Sequence, residues 1–178
     1  MSPQLPHQLL VITALGHDRP GLIDQLTRPI RAANINILDS RMISLGGEFA
    51  VMMLTSGADH ALQQLQQQLE SESDRLQLTL QCRLTTPRPE TEQGSQRHTL
   101  AVECLDHPGI INDLARFFSE RGLTIDQMES DSYNAPTSGV PMFSVELVVG
   151  CSEAQLQQFN DYCDSLNLDV HYSGSTRQ

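Results

Sequence analysis

Apolar positions along this chain follow two different periods, and the order in which those periods alternate is repeated. Residues Leu9–Gly16 read LLVITALG, a β-branched apolar run that predicts a buried strand. From Gly21 the spacing changes, and Leu22, Leu26, Ile30 and Ala33 recur as on one face of a helix. Pro29 falls inside that helix and predicts a kink or an early end there. Two strands follow, Asn36–Leu45 and Gly47–Ser56, separated by Gly46 and Gly47, a pair suited to the positive φ of a tight hairpin. Leu62, Leu65 and Leu69 then predict a second helix, and the alternation of Leu76, Leu78 and Leu80 a closing strand.

The same series begins again at residue 98. His98–Leu105 alternates like a strand, and Ile110, Leu114 and Phe118 lie at helical spacing, with Phe117 where the first copy has Pro29, so this helix should run straighter. Strands at Thr124–Tyr133 and Val140–Val149 are joined by NAPTSG. Leu156, Phe159 and Cys163 mark a helix, and Leu168 and Val170 a last strand. The tetrapeptide Asp-x-Pro-Gly occurs at Asp18–Gly21 and at Asp106–Gly109, an offset of 88 residues, 106 less 18. At that offset Leu26 falls on Leu114, Arg28 on Arg116 and Ile37 on Ile125, which makes the chain a duplicated module.

The order βαββαβ, twice, predicts an α+β protein of two ferredoxin-like domains, each an antiparallel sheet with both helices on one face. Right-handed crossovers place the first and third strands in the middle of each sheet and leave the second and fourth as edges. Thr85–Gln96 reads TTPRPETEQGSQ, polar and Pro-containing, and is the expected linker. The expected domains are residues 1–84 and 97–178.

Composition narrows the function. A net charge of −11 opposes contact with phosphate backbones, and no basic patch or nucleic-acid-binding motif offsets it, so direct nucleic-acid binding is not expected. No apolar run is long enough for a membrane span, and the N-terminal residues lack the layout of a signal peptide, which points to the cytoplasm. Cys82, Cys104, Cys151 and Cys163 share no metal-ligand spacing and are expected to be buried, reduced thiols, with no metal bound.

The Asp-x-Pro-Gly turn lies where a strand hands over to a helix. Asp is expected to cap the free amides of that helix, and Pro to occupy its first turn. Gly weakens a helix, by about 1 kcal/mol against Ala, so a cap alone leaves it unexplained. Backbone N–H groups opened by Gly would suit a small anion such as a carboxylate.

The stretch LVITALGHDRPGLIDQLTRPIRAANINILDSRM, with DHPGIINDLARFFSERGLTID in the second copy, resembles the ACT domain, a small regulatory module that senses amino acids. The resemblance runs from Leu9 to Tyr172 and implies paired modules with sheets side by side. Effectors would bind between the loop after one module's first strand and the second strand of its neighbour. Carried onto this chain, the first loop supplies Asp18, Arg19, Pro20, Gly21, Leu22 and Ile23. The second supplies Asp106, His107, Pro108, Gly109, Ile110 and Ile111. The facing strand positions are Asn36 and Ile37, with Thr124, Ile125 and Asp126 in the second copy.

A zwitterionic amino acid suits such a site, with its carboxylate on helix amides and its ammonium on Asp18, Asp106 or Asn36. Arg19 becomes His107 and Asn36 becomes Thr124, so one dominant site is expected, at the first loop. By resemblance the effector is glycine, no cofactor is needed, and the partner is a DNA-binding transcriptional activator. A homodimer is also expected, from the uncovered sheet edges. Two other readings compete: an interaction scaffold of the same fold that binds no effector, and a relative of formyltetrahydrofolate hydrolases. The latter's catalytic domain has no counterpart, because the second half repeats the first.

Overall fold

The computed structural model describes residues 8–86 and 96–176. The chain divides into two compact units between Pro89 and Glu90. In the first unit the elements are β1 (Leu9–His17), α1 (Leu22–Ala32), β2 (Asn36–Leu45), β3 (Glu48–Ser56), α2 (Asp59–Leu76) and β4 (Thr79–Thr85). The second runs β5 (Gln96–Leu105), α3 (Ile110–Glu120), β6 (Ile125–Asn134), β7 (Pro141–Cys151), α4 (Glu153–Ser165) and β8 (Asp169–Thr176). Both ends of the expected linker are therefore strand residues, and positions 87–95 lie outside the described residues.

Each unit is a four-stranded antiparallel sheet, ordered β2-β3-β1-β4 and β6-β7-β5-β8. The first and third strands are central in both, as right-handed crossovers require. One face of β1, with Leu10, Ile12 and Ala14, packs on Leu22, Leu26 and Ile30 of α1 and on Leu62, Leu65 and Leu69 of α2. Both helices therefore cover the same face of the first sheet. In the second unit Leu100, Val102 and Cys104 pack with Leu114, Phe117 and Phe118 of α3 and with Phe159 and Cys163 of α4. Aromatic rings dominate there: Phe117 meets Phe159 edge to face with centroids 5.2 Å apart. At the β2–β3 turn Gly46 and Gly47 have φ of 62° and 84°, both positive, as a two-residue hairpin needs.

Three local expectations are corrected. Helix α1 does not end at Pro29; it continues to Ala32 and has the same 11 residues as α3. Proline removes one N–H from the helix ladder, but buried Leu26 and Ile30 hold the turn to the core on either side of it. Leu76 is the last residue of α2 rather than the start of a strand, and Gln77, at φ 54°, turns the chain into β4. Leu168 likewise precedes β8.

Candidate functional site

The two Asp-x-Pro-Gly turns have one geometry. Gly21 and Gly109 are the N-cap residues of α1 and α3, with φ of 87° and 105°, and neither helix start receives a side-chain cap. In the left-handed region a Cβ crowds the backbone, so the turn itself requires glycine. This corrects the expectation that a cap leaves Gly unexplained. Pro20 and Pro108 precede the caps and are not in the first helical turn.

Asp18 does not cap α1. Its Oδ2 accepts a hydrogen bond from the Ser44 hydroxyl at 2.7 Å, and its backbone N–H donates to the Gly47 carbonyl at 2.9 Å, tying the loop to the β2–β3 hairpin. In the second unit the Asp106 N–H donates to the carbonyl of Pro141, the first residue of β7, at 3.0 Å, a corresponding tie at the start of the third strand. Acidic residues inside the first turns, Asp24 and Asp113, face the positive helix ends instead. The former pairs with Arg28, and Asp113 pairs with Arg116 at 2.9 Å.

Arg19 reaches back and donates to the Leu76 carbonyl, the end of α2, at 2.7 Å. A cation there complements the negative helix end. His107, at the matching position, is exposed, with Nδ1 3.2 Å from the Pro108 carbonyl oxygen. Leu22 and Ile110 are core residues, 2% and 3% exposed, so only their backbone can take part in binding. Pro20, Ile23 and Pro108 are exposed and Ile111 is half-buried.

The strand residues lie elsewhere within each unit. Asn36 pairs with Ser56 and Ile37 with Thr55, opposite the beginning of β1, whereas the Asp18 loop follows its end. Helix α1, 11 residues long, separates the two by roughly 16 Å at 1.5 Å per residue. Asn36 and Ile37 instead line a cleft of about 510 Å³ with Arg31 at the far end of α1 and Asn34 just beyond it. In the second unit Ile125 pairs with Val149, Asp126 holds Arg97 at 3.1 Å, and Thr124 is exposed just before β6. One unit alone does not unite the loop with these strand positions.

A second cleft, of about 490 Å³, opens at the second loop, lined by His107, Gly109, Ile110 and Ile111 and by Asn112, Ala115 and Phe143. Sequence reasoning missed the last three, together with Ser44. Asn112 and Ala115 follow from the helical period once α3 begins at Ile110, but Phe143 and Ser44 are placed by strand register alone. Among the described residues no group of His, Cys, Asp and Glu could hold a metal ion, and no helix is long and apolar enough to cross a membrane. Cys104, Cys151 and Cys163 are buried and Cys82 is half-buried, all four free thiols.

Residues 8–83 match the ACT domain family. The second unit repeats that fold strand for strand. The ACT match covers the first unit alone. The chain is similar from end to end to the glycine cleavage system transcriptional repressor of Escherichia coli K12, 29% identical over 95% of this chain and 94% of the relative. The protein of the same name from Shigella flexneri matches equally. Two solved structures share the fold. One is an unknown protein from Galdieria sulphuraria, with a TM-score of 0.79 at 22% identity, covering 96% of this chain and 99% of that one. The other, a candidate glycine cleavage system transcriptional repressor, has a TM-score of 0.70 at 23% identity, covering 93% and 96%. Both units keep the glycine turn, while the residues around it, Arg19 against His107, differ.

Proposed function

We propose that this tandem ACT protein is a cytoplasmic, non-catalytic sensor of a small amino acid, glycine foremost, that represses the glycine cleavage genes. In this reading it acts through a DNA-binding activator protein and not by touching DNA, and it works as a homodimer. The end-to-end similarity to the Escherichia coli repressor carries the proposal. A net charge of −11 supports action through a protein partner, since that field repels phosphate.

The effector's carboxylate would sit on the uncapped amides that open α1 and α3, at Asp18–Ile23 and Asp106–Ile111. Its ammonium would be held by Asp18 or Asp106. Asn36, Ile37, Thr124, Ile125 and Asp126 lie at the far end of their own sheets and enter this reading only as contributions from another ACT module. Binding must favour one state of the protein over another, typically by about 1 to 3 kcal/mol, for a regulatory response to follow.

A second reading has an observation behind it. The left-handed φ of Gly21 and Gly109 accounts for both glycines without a ligand, which favours an ACT scaffold that binds no effector. Titration calorimetry with glycine, alanine and serine separates the two. A sensor gives saturable heat that Asp18→Ala or Asp106→Ala weakens while the circular dichroism spectrum is unchanged. No binding at millimolar amino acid overturns the sensor.

A further inference from the structure

We propose that the open face of the first sheet, the face without helices, is the docking surface for a second copy of this chain. Residues on that face follow from the register. The row Asp39–Leu54–Val11–Arg83 crosses all four strands, followed by Arg41–Met52–Thr13–Gln81 and then Ile43–Ala50–Leu15–Thr79. Their neighbours Phe49, Val51 and Met53 are buried under the helices, so these rows point the other way. Leu15, Ile43 and Met52 are 51%, 53% and 55% exposed, and with Leu54, Val11 and Ala50 they form an apolar patch across the rows, bordered by Asp39, Arg41, Arg83, Gln81 and Thr79.

The charges identify the occupant. Asp39 stands on the β2 edge, where Arg41 of the same strand donates to it at 2.8 Å, and Arg83 stands on the β4 edge of that row. A two-fold axis parallel to the strands stacks the face on its own copy with the edges exchanged. Asp39 then meets Arg83 of the copy at both ends, Leu54 meets Val11, and Ala50 meets Leu15. Sheets stacked in this aligned manner pack about 10 Å apart with strands within about 30°. A self-complementary patch of this kind is what a closed two-fold dimer requires.

The matching face of the second sheet cannot do the same. There Glu129 stands opposite Glu146, and Glu103 opposite Asp169, two like-charged pairs where the first unit has Arg41–Met52 and Leu15–Thr79. Directly opposed like charges repel within one sheet, and stacking two such faces would add to the repulsion. Self-association is thereby directed to the first unit. This inference goes beyond the homodimer of the proposed function by naming the face, and its test needs no amino acid.

Sedimentation equilibrium of the full chain without ligand reads it directly. The wild type should be a dimer at micromolar concentration, and Leu15→Glu or the milder Leu15→Ser should weaken it, each variant keeping the native circular dichroism spectrum. Arg83→Asp should raise the dissociation constant about tenfold, and Asp39→Arg together with Arg83→Asp should restore it, while Glu146→Lys leaves it unchanged. A monomeric wild type, a dimer indifferent to both Leu15 variants, or a double exchange that fails to recover affinity overturns the proposal. Loss of glycine binding without loss of the dimer would count against the sensor reading alone.

Discussion

The Arg19 guanidinium donates to the Leu76 carbonyl at 2.7 Å, joining the Asp-x-Pro-Gly loop to the end of α2 across 57 positions of sequence. The charge meets the negative end of the helix, so the contact both satisfies a carbonyl and complements the helix dipole. His107, the counterpart in the second unit, instead stays beside its own loop at Pro108. The two loops therefore have the same backbone and different ties.

Arg19→Ala should destabilise the first unit by about 1 to 2 kcal/mol, the scale of a partly exposed hydrogen bond to a charged group. Urea unfolding is the measurement. His107→Ala should change stability little, since that side chain is exposed. Equal effects at both positions would remove the structural role assigned to Arg19.

Gly109→Ala should cost about 1 to 2 kcal/mol from backbone strain alone. A methyl group at Gly109 would meet nothing within 4 Å, so no steric clash contributes. Gly109→Asn should cost less, because Asn enters the left-handed region more readily. The same order is expected at Gly21, where the nearest atom is the Gln25 side-chain nitrogen at 3.8 Å. Thermal and urea unfolding would report both. An alanine variant as stable as wild type would contradict the conformational explanation of the motif.

Burial pushes the Cys163 thiol up to about 12 and the Cys82 thiol up to about 11, and it raises Cys104 and Cys151 as well. In each case burial is the larger cause, with nearby acidic groups adding to it. An unfolded thiol ionises near pH 8.5. The folded chain thus holds thiol protons that the unfolded chain loses, so this contribution is full below the unfolded value and declines as pH rises through the folded one. Alkylation by iodoacetamide at pH 8 should be slow in the native protein and fast in denaturant, and urea midpoints should fall at alkaline pH. Rapid native alkylation of Cys163 would contradict its burial.

Much of the fold was legible because its information is local. Periods of two and of three to four residues mark the strands and helices, and the 88-residue offset fixed the repeat before any contact was known. Handedness of the crossovers then placed β1 and β3 at the centre of the sheet. The boundary errors fell at Leu76, the last residue of α2, and at Leu168, the residue before β8. A buried leucine serves either element equally well, and only backbone dihedrals separate them.

The loop was legible in composition but not in cause. Asp, Pro and Gly announced a helix start, yet Asp18 turned to Ser44 and Gly21 became the cap. Ser44 lies 26 residues away in sequence, and nothing local marks it as a partner. Only strand register brings it to the loop.

By itself the sequence determined the duplication, the βαββαβ order, the apolar cores and the position of the two glycine turns, since each depends on spacing along the chain. Tertiary structure decided what those spacings touch. It set Arg19 against Leu76 and Asp18 against Ser44, and it placed Asn36 and Ile37 at the opposite end of the sheet from the loop. It also aligned Asp39 with Arg83 across four strands. Such pairings depend on register and packing between segments far apart in sequence, and a shift of one residue would turn every strand side chain to the other face.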